Sequence, residues 1–372
     1  MDSERIVDKN WKISDVLKLN GISGLSSRLF RLAVDTFNSF DDFINTKEAE
    51  FQKFLQDSFF ENKFENFNDP VNEQFDLCEK GNIGIITIWD NEYPVLLRDI
   101  AYPPVILFVK GSLQESDADS ISIVGTRRCT SYGKLATEHF AEVFASNKII
   151  VTSGLAYGID SLAHLSTIKN NGITYAVIAS GIDEIMPAES QKTADKIIDS
   201  GGAIISEYKC GIKALPVFFP QRNRIISGIS LATLIIESAE KGGSLITAKF
   251  AFDQGREVFA VPGSIFSEKS SGTNLLFSQN IAQPALSGKS MLQLLNLTNG
   301  DNSGFFDKNK NENLTEAEQV IMDNISHEPV HIDQIMELTG FDMSALLVRM
   351  LEMEFRGIVR QLPGKYYIRT VK

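Results

Sequence analysis

Cysteine is scarce in this chain. Cys78, Cys129 and Cys210 lie far apart among 372 residues. They make no metal-ligand spacing and no disulfide framework, usage that suits a reducing cytoplasm. Histidine is also rare, at four residues, and no metal site is expected. No uninterrupted apolar run approaches the roughly 18 residues of a membrane-spanning helix, so no membrane association is expected. The start, Met1-Asp2-Ser3-Glu4-Arg5, lacks the basic-then-apolar layout of a secretory leader. Three enzyme signatures are missing as well. No Gly-x-Gly-x-x-Gly follows the first strand of the α/β region, which excludes a dinucleotide fingerprint. No Gly-x-Ser-x-Gly elbow occurs. Ser287-Gly288-Lys289-Ser290 imitates the end of a phosphate loop, but Gln283 stands where its first glycine belongs.

The chain also lacks overall positive charge, carrying a net −12. The deficit is uneven. Residues 120–290 hold 16 Lys and Arg against 14 Asp and Glu, whereas the remainder holds 20 against 34. The one positive segment also holds the densest motifs, which keeps a polyanionic ligand open for it.

Hydrophobic spacing divides the chain. Apolar residues recur at helical intervals over 13–56, with Leu19-Asn20-Gly21-Ile22-Ser23-Gly24 as a tight turn between two helices. This reads as a helix-hairpin-helix (SAM-like) element in an N-terminal helical domain over 1–80. Ser23 replaces the second glycine of the usual hairpin, which favours a structural role. Residues 57–80, with Asp69-Pro70 as a break, read as a connector. Strands are predicted at 84–89 and 105–109. From Ile121, apolar runs begin near 121, 149, 174, 203, 231 and 257 with helical patterns between most of them. That rhythm predicts a parallel sheet of βαβ units over 81–295, with its ligand crevice at the carboxyl ends of the strands. A polar stretch over 296–313 reads as a linker. Residues 314–372 read as a winged-helix domain. It has a capping box at Thr315 and Glu318, helices over 316–325, 332–339 and 344–354, and a hairpin around Pro363-Gly364.

The βα turns carry the chemistry. After the first strand, Gly125 allows a sharp turn, and Thr130 or Ser131 caps the next helix, leaving amides that suit an anion beside Arg127 and Arg128. Adjacent arginines rarely face the same way, and Arg127 is the one expected in the crevice. Ser153-Gly154-Leu155-Ala156-Tyr157-Gly158-Ile159-Asp160 lets a ligand approach the backbone. Asp160 is expected to support this loop, and His164 to be a packed helix residue. Phe218-Phe219-Pro220-Gln221-Arg222-Asn223-Arg224 sets aromatics beside cations, the combination that single-stranded nucleic acid needs. Gly242-Gly243-Ser244 leads a strand into a helix as another amide nest, with Lys249 nearby.

These landmarks resemble the DNA-processing protein A (DprA, also called Smf) family. The resemblance rests on Tyr93-Pro94, Pro103-Pro104, Lys110-Gly111 and Gly125-Thr126-Arg127. It continues through Ser153 to Asp160, Phe219 to Arg224, Gly243 to Ala248 and Val261-Pro262-Gly263. One departure is Met186, standing before Pro187 where many members carry an aromatic.

The resemblance implies an extended Rossmann-like α/β core, flanked by the helical and winged-helix domains. It implies a homodimer that binds single-stranded DNA, protects incoming strands and loads the recombinase RecA during natural transformation. It implies neither turnover nor a cofactor. Carried onto this chain, Arg127 would hold a backbone phosphate, and Arg222 and Arg224 would line the same groove. Asn223 would support the loop, and Phe218 or Phe219 would stack on a base. Gly125, Ser153, Gly154, Gly243 and Ser244 would belong to the phosphate-binding turns, with Lys249 a further charge. A second reading is a Rossmann-like nucleotide-binding or nucleoside-phosphate-hydrolysing enzyme using Glu207 or Glu237. A third is a transcription regulator acting through the winged helix.

Overall fold

A computed structural model describes residues 3–20, 27–46, 68–115, 118–297, 314–326, 328–356 and 358–369. The glycine hairpin expected at 21–24 and most of the linker expected at 296–313 lie outside the described residues.

The sequence order is β1 (Ile6–Asp8) and β2 (Trp11–Lys12), helices Ile13–Asn20, Ser27–Thr36, Phe40–Ile44 and Asn68–Gly81, then β3 (Ile83–Thr87) and β4 (Ile106–Gly111). The α/β region follows, with β5 (Ser120–Val124), β6 (Ile150–Ser153), β7 (Thr174–Val177), β8 (Ala203–Ser206), β9 (Ala232–Ile235), β10 (Glu257–Ala260) and β11 (Gln283–Pro284). These strands form one nine-stranded sheet in the order β11-β10-β9-β5-β6-β7-β8-β4-β3. Pairing is parallel from β11 to β8. β4 is antiparallel to both β8 and β3, so the sheet is mixed at that edge.

The chain adds β6, β7 and β8 outward on one side of β5, then crosses to place β9 on the other. That reversal opens a crevice at the carboxyl ends of β5, β6 and β9. The alternation Ser120-Ile121-Ser122-Ile123 sends isoleucine to one face of the sheet and serine to the other. The buried hydroxyls offset their desolvation by bonding across strands, Ser120 to Thr152 at 2.8 Å and Ser122 to Thr233 at 2.7 Å.

Two apolar layers cover the sheet. One joins Ile121 and Ile123 to Phe140, Phe144 and Ile159. The other runs from Phe108, Ile204 and Ile225 to Trp11, Phe30 and Leu97, so the N-terminal helices share a core with the sheet. Arg5 fastens that unit further, pairing with Asp90 at 2.8 Å and donating to the Ile85 carbonyl. Of the connector expected at 57–80, residues 57–67 lie outside the described residues, and the structure corrects the remainder. Asn68–Gly81 is a 14-residue helix, and Asp69-Pro70 falls in its first turn, where proline's missing N–H costs nothing. Its Cys78 meets Cys210 from the loop after β8, sulfur to sulfur 3.9 Å, both as free thiols.

The C-terminal unit holds helices Glu316–Asn324, Ile332–Thr339 and Met343–Phe355, with β12 (Val330–His331), β13 (Val359–Leu362) and β14 (Tyr366–Arg369) in a sheet ordered β12-β14-β13. Thr315 and Glu318 form the capping box in both directions. Gly364 and Lys365, both at positive φ, turn the wing. This unit has its own core around Ile321, Ile335, Leu346 and Met350.

Candidate nucleic-acid interface

The loops after β5 and β6 interlock. Thr126 N–H donates to the Glu237 carbonyl beyond β9, and Ile159 N–H donates to the Thr126 carbonyl. Gly158 sits at φ 79°, and a Cβ there would lie 2.4 Å from the Thr126 oxygen, so glycine alone permits this approach. Asp160 is buried beneath the two loops. Burial pushes its carboxyl up to about 6, against the pull of Arg222 and of backbone amides at Ala156, Gly154 and Gly125. It supports the loops, as expected. His164 is buried, and desolvation, with Arg222 adding to it, pushes its imidazole down to about 3. Its Nδ1 lies 2.7 Å from Thr174 Oγ1, which itself donates to the Val151 carbonyl. The imidazole is therefore the neutral Nδ1–H tautomer, donating to Thr174.

Above the loops lies an open cleft of about 700 Å³ lined by Arg127, Arg128, Cys129, Lys134, Tyr157, Gly158, Ser161, Leu162 and Leu165. Three of these are cations and none is a carboxylate. Arg127 is exposed, and its guanidinium stands 5.8 Å from the centre of the Phe219 ring. The Tyr157 hydroxyl donates to Glu189 at 2.6 Å. Arg128 and Lys134 are the lining cations missing from the sequence-based site. Lys134 lies in the first turn of the helix after β5, and that position was the available signal.

The other expected residues separate. Arg222 does not line the groove. It is 4% exposed, donates to the Gly154 carbonyl at 2.8 Å and to the Val177 carbonyl, and meets Asn223 Oδ1 at 3.3 Å. Desolvation brings its guanidinium down to about 10, still charged at neutral pH. Its surroundings make it an internal tie between β6, β7 and the helix Phe218–Ile229. Arg224 is paired with Glu207, whose carboxyl burial pushes upward. Ser153 is buried and donates to the Ile123 carbonyl at 2.6 Å. Gly125 turns beneath the loop.

The helix Ser131–Ser146 was expected to offer free amides to a phosphate, but a side chain of the chain itself sits there. Glu237, 2% exposed, accepts from the Thr130 amide at 2.9 Å and from the Thr130 hydroxyl. Gly243 and Ser244 open the helix Ser244–Asp253, where Gly243 is exposed and Ser244 donates to Ser238 Oγ at 2.9 Å. Lys249 is exposed on that helix and is not among the residues lining the cleft. Phe218 stacks on Tyr208 with ring centres 4.3 Å apart. Met186 is half exposed.

His327 and His331 have the spacing of a helical zinc motif around Glu328. Val330 and His331, however, lie in β12, whereas that motif sets its second histidine within a helix. Among the described residues no cluster of His, Cys, Asp and Glu has metal-binding geometry, and no helix is long and apolar enough to cross a membrane.

Residues 84–296 match the family described as DNA recombination-mediator protein A, and residues 308–365 match the DprA winged helix domain. The chain is 33% identical over 287 residues to Protein Smf of Escherichia coli, covering 74% of this chain and 75% of that one. It is 39% identical over 219 residues to the DNA processing protein DprA of Bacillus subtilis, covering 59% and 73%. The X-ray structure of DprA from Streptococcus pneumoniae superposes with a TM-score of 0.64 at 30% identity, over 75% of this chain and 96% of that one. DprA from Helicobacter pylori, solved to describe its single-stranded DNA binding mode, superposes at 0.52 and 27% identity over 57% and 95%. The chain belongs to the DprA/Smf family of DNA recombination-mediator proteins.

Proposed function

We propose that this protein binds single-stranded DNA in the cleft above β5 and β6, protects incoming strands and delivers them to the recombinase RecA during natural transformation and homologous recombination. The observation that carries the reading is a cleft with three cations, no carboxylate and an aromatic side chain, at the carboxyl ends of parallel strands. Arg127, Arg128 and Lys134 meet phosphates. Tyr157 and Phe219 offer flat faces to bases. Gly125, Ser153, Gly154, Arg222 and Asn223 hold the loops in place from beneath, and exposed Gly243 and Lys249, outside the cleft lining, are further contacts for the strand. The chain acts as a homodimer in the cytoplasm, without turnover or cofactor. Glu207 and Glu237, the acids a hydrolase would need, are both committed to internal partners. The division at residues 80, 295 and 313 assigns DNA to the middle segment.

Fluorescence anisotropy with a labelled oligonucleotide, its duplex and a salt series tests this. Three phosphate contacts predict that log K falls against log salt with a slope of about 2. Arg127→Ala is expected to lower that slope by roughly 0.7 and to weaken single-strand binding at every sequence. Duplex preference indifferent to Arg127→Ala would move the site to the winged helix. Light scattering reports the dimer, and strand exchange with and without RecA reports delivery.

A further inference from the structure

The cleft does not end at Leu165. A second groove, of about 480 Å³, begins at the same residue and is lined by Leu165, Ile168, Lys169, Lys196, Asp199 and Ser200. The floor of both is one face of the helix Ile159–Lys169. Ser161, Leu162, Leu165, Ile168 and Lys169 follow the helical repeat, and the three apolar members among them are half-buried. Along its 11 residues that face is about 16 Å long. Arg127, Arg128 and Lys134 stand at its beginning, and exposed Lys169 and Lys196 stand at its end. Asp199 is the carboxylate among the lining residues.

Resting on the reading of the first cleft as a single-strand site, we infer that the strand continues along this helix. Lys169 and Lys196 form a second phosphate-binding subsite for single-stranded DNA. Leu162, Leu165 and Ile168 give an apolar floor on which bases lie between the two cationic ends. Both lysines also stand in the last turns of their helices, where a cation complements the helix dipole. A purely structural role of that kind would alter stability without altering DNA binding, so the two roles separate experimentally.

The test uses the full chain with oligothymidylates of about 4 and about 16 nucleotides, lengths within known single-strand site sizes. The double variant Lys169→Ala/Lys196→Ala is expected to bind the long strand about tenfold more weakly, with a salt slope lower by roughly 1.4. Its affinity for the short strand and its melting temperature are expected to stay at the wild-type values. Lys169→Arg/Lys196→Arg keeps both charges and is expected to bind like wild type. Equal affinity of wild type and the alanine variant for the long strand overturns the second subsite, and so does equal weakening at both lengths. If wild type binds neither length, or Arg127→Ala binds both as wild type does, the reading of the first cleft fails and the extension falls with it.

Discussion

Glu237 fills the anion site that the sequence reading reserved for a phosphate. Its carboxylate meets the Thr130 amide and hydroxyl at the start of a helix, where the dipole favours negative charge. The fit requires Gly133, since a Cβ there would lie 2.3 Å from Glu237 Oε2. Gly133→Ala is therefore expected to cost about 1–3 kcal/mol, read as a lowered urea midpoint. Gly243 gives the contrast. A Cβ there meets nothing within 4 Å, so Gly243→Ala is expected to change stability by no more than about 0.5 kcal/mol. Loss of DNA affinity in that variant would then report a direct contact.

His164 supplies a pH dependence. Its imidazole lies at about 3 when folded against an ordinary 6.5. Between those values the unfolded chain holds a proton that the folded chain does not, so stability falls as pH falls through that window. Asp160 works in the opposite sense between 3.8 and about 6, because there the folded carboxyl holds the proton. His164→Gln removes the first contribution alone. Urea midpoints at pH 7 and pH 5 are expected to differ less in the variant than in wild type. An unchanged difference would show that His164 is not the titrating group.

At the scale of elements, Phe-Phe-Pro-Gln-Arg-Asn-Arg looked like an exposed nucleic-acid stretch. It opens the helix Phe218–Ile229, and helical geometry divides its members. Arg222 turns inward with Ile225, Ile226 and Ile229, while Arg224 reaches Glu207. The winged-helix unit has a separate core. The pair of Arg360 with Glu138 links it to the helix after β5, with both side chains partly exposed. Such a pair contributes at most about 1 kcal/mol. Its third helix, Met343–Phe355, exposes Leu347, Val348 and Leu351, a face without the cations that flank a duplex groove. A chain ending at Leu297 is expected to keep the melting temperature of the α/β core and the single-strand affinity of the full chain. Thermal denaturation with anisotropy on both proteins decides it.

At the scale of the whole molecule, net charge misleads. An overall −12 coexists with a cleft whose charged lining residues are all positive, and a bound chain senses charge within about 10 Å at 0.1 M salt. Much of the architecture was legible in the sequence. Strands expected near 121, 149, 174, 203, 231 and 257 begin at 120, 150, 174, 203, 232 and 257. Period, turn residues and caps are local properties, and the buried strands show themselves as short runs rich in isoleucine, valine, leucine and small residues. The cations of the cleft were legible only in part, since one of the two adjacent arginines was expected there and both Arg127 and Arg128 line it. The antiparallel β4 was not legible, since an apolar run carries no sign of its direction.

The sequence by itself determined the α/β class, the strands from β5 to β10 and the winged-helix plan, since these depend on neighbours in the chain. Only the tertiary structure decided which charges face the cleft at the βα turns. Placing β9 beside β5 brings Glu237 to Thr130 across 107 residues and fills one anion site. Packing the helix Phe218–Ile229 against the sheet brings Arg222 to Gly154 across 68 and buries an arginine. The same residue type is a surface cation at 127 and an internal tie at 222, because the chain's path rather than its composition sets which atoms lose water.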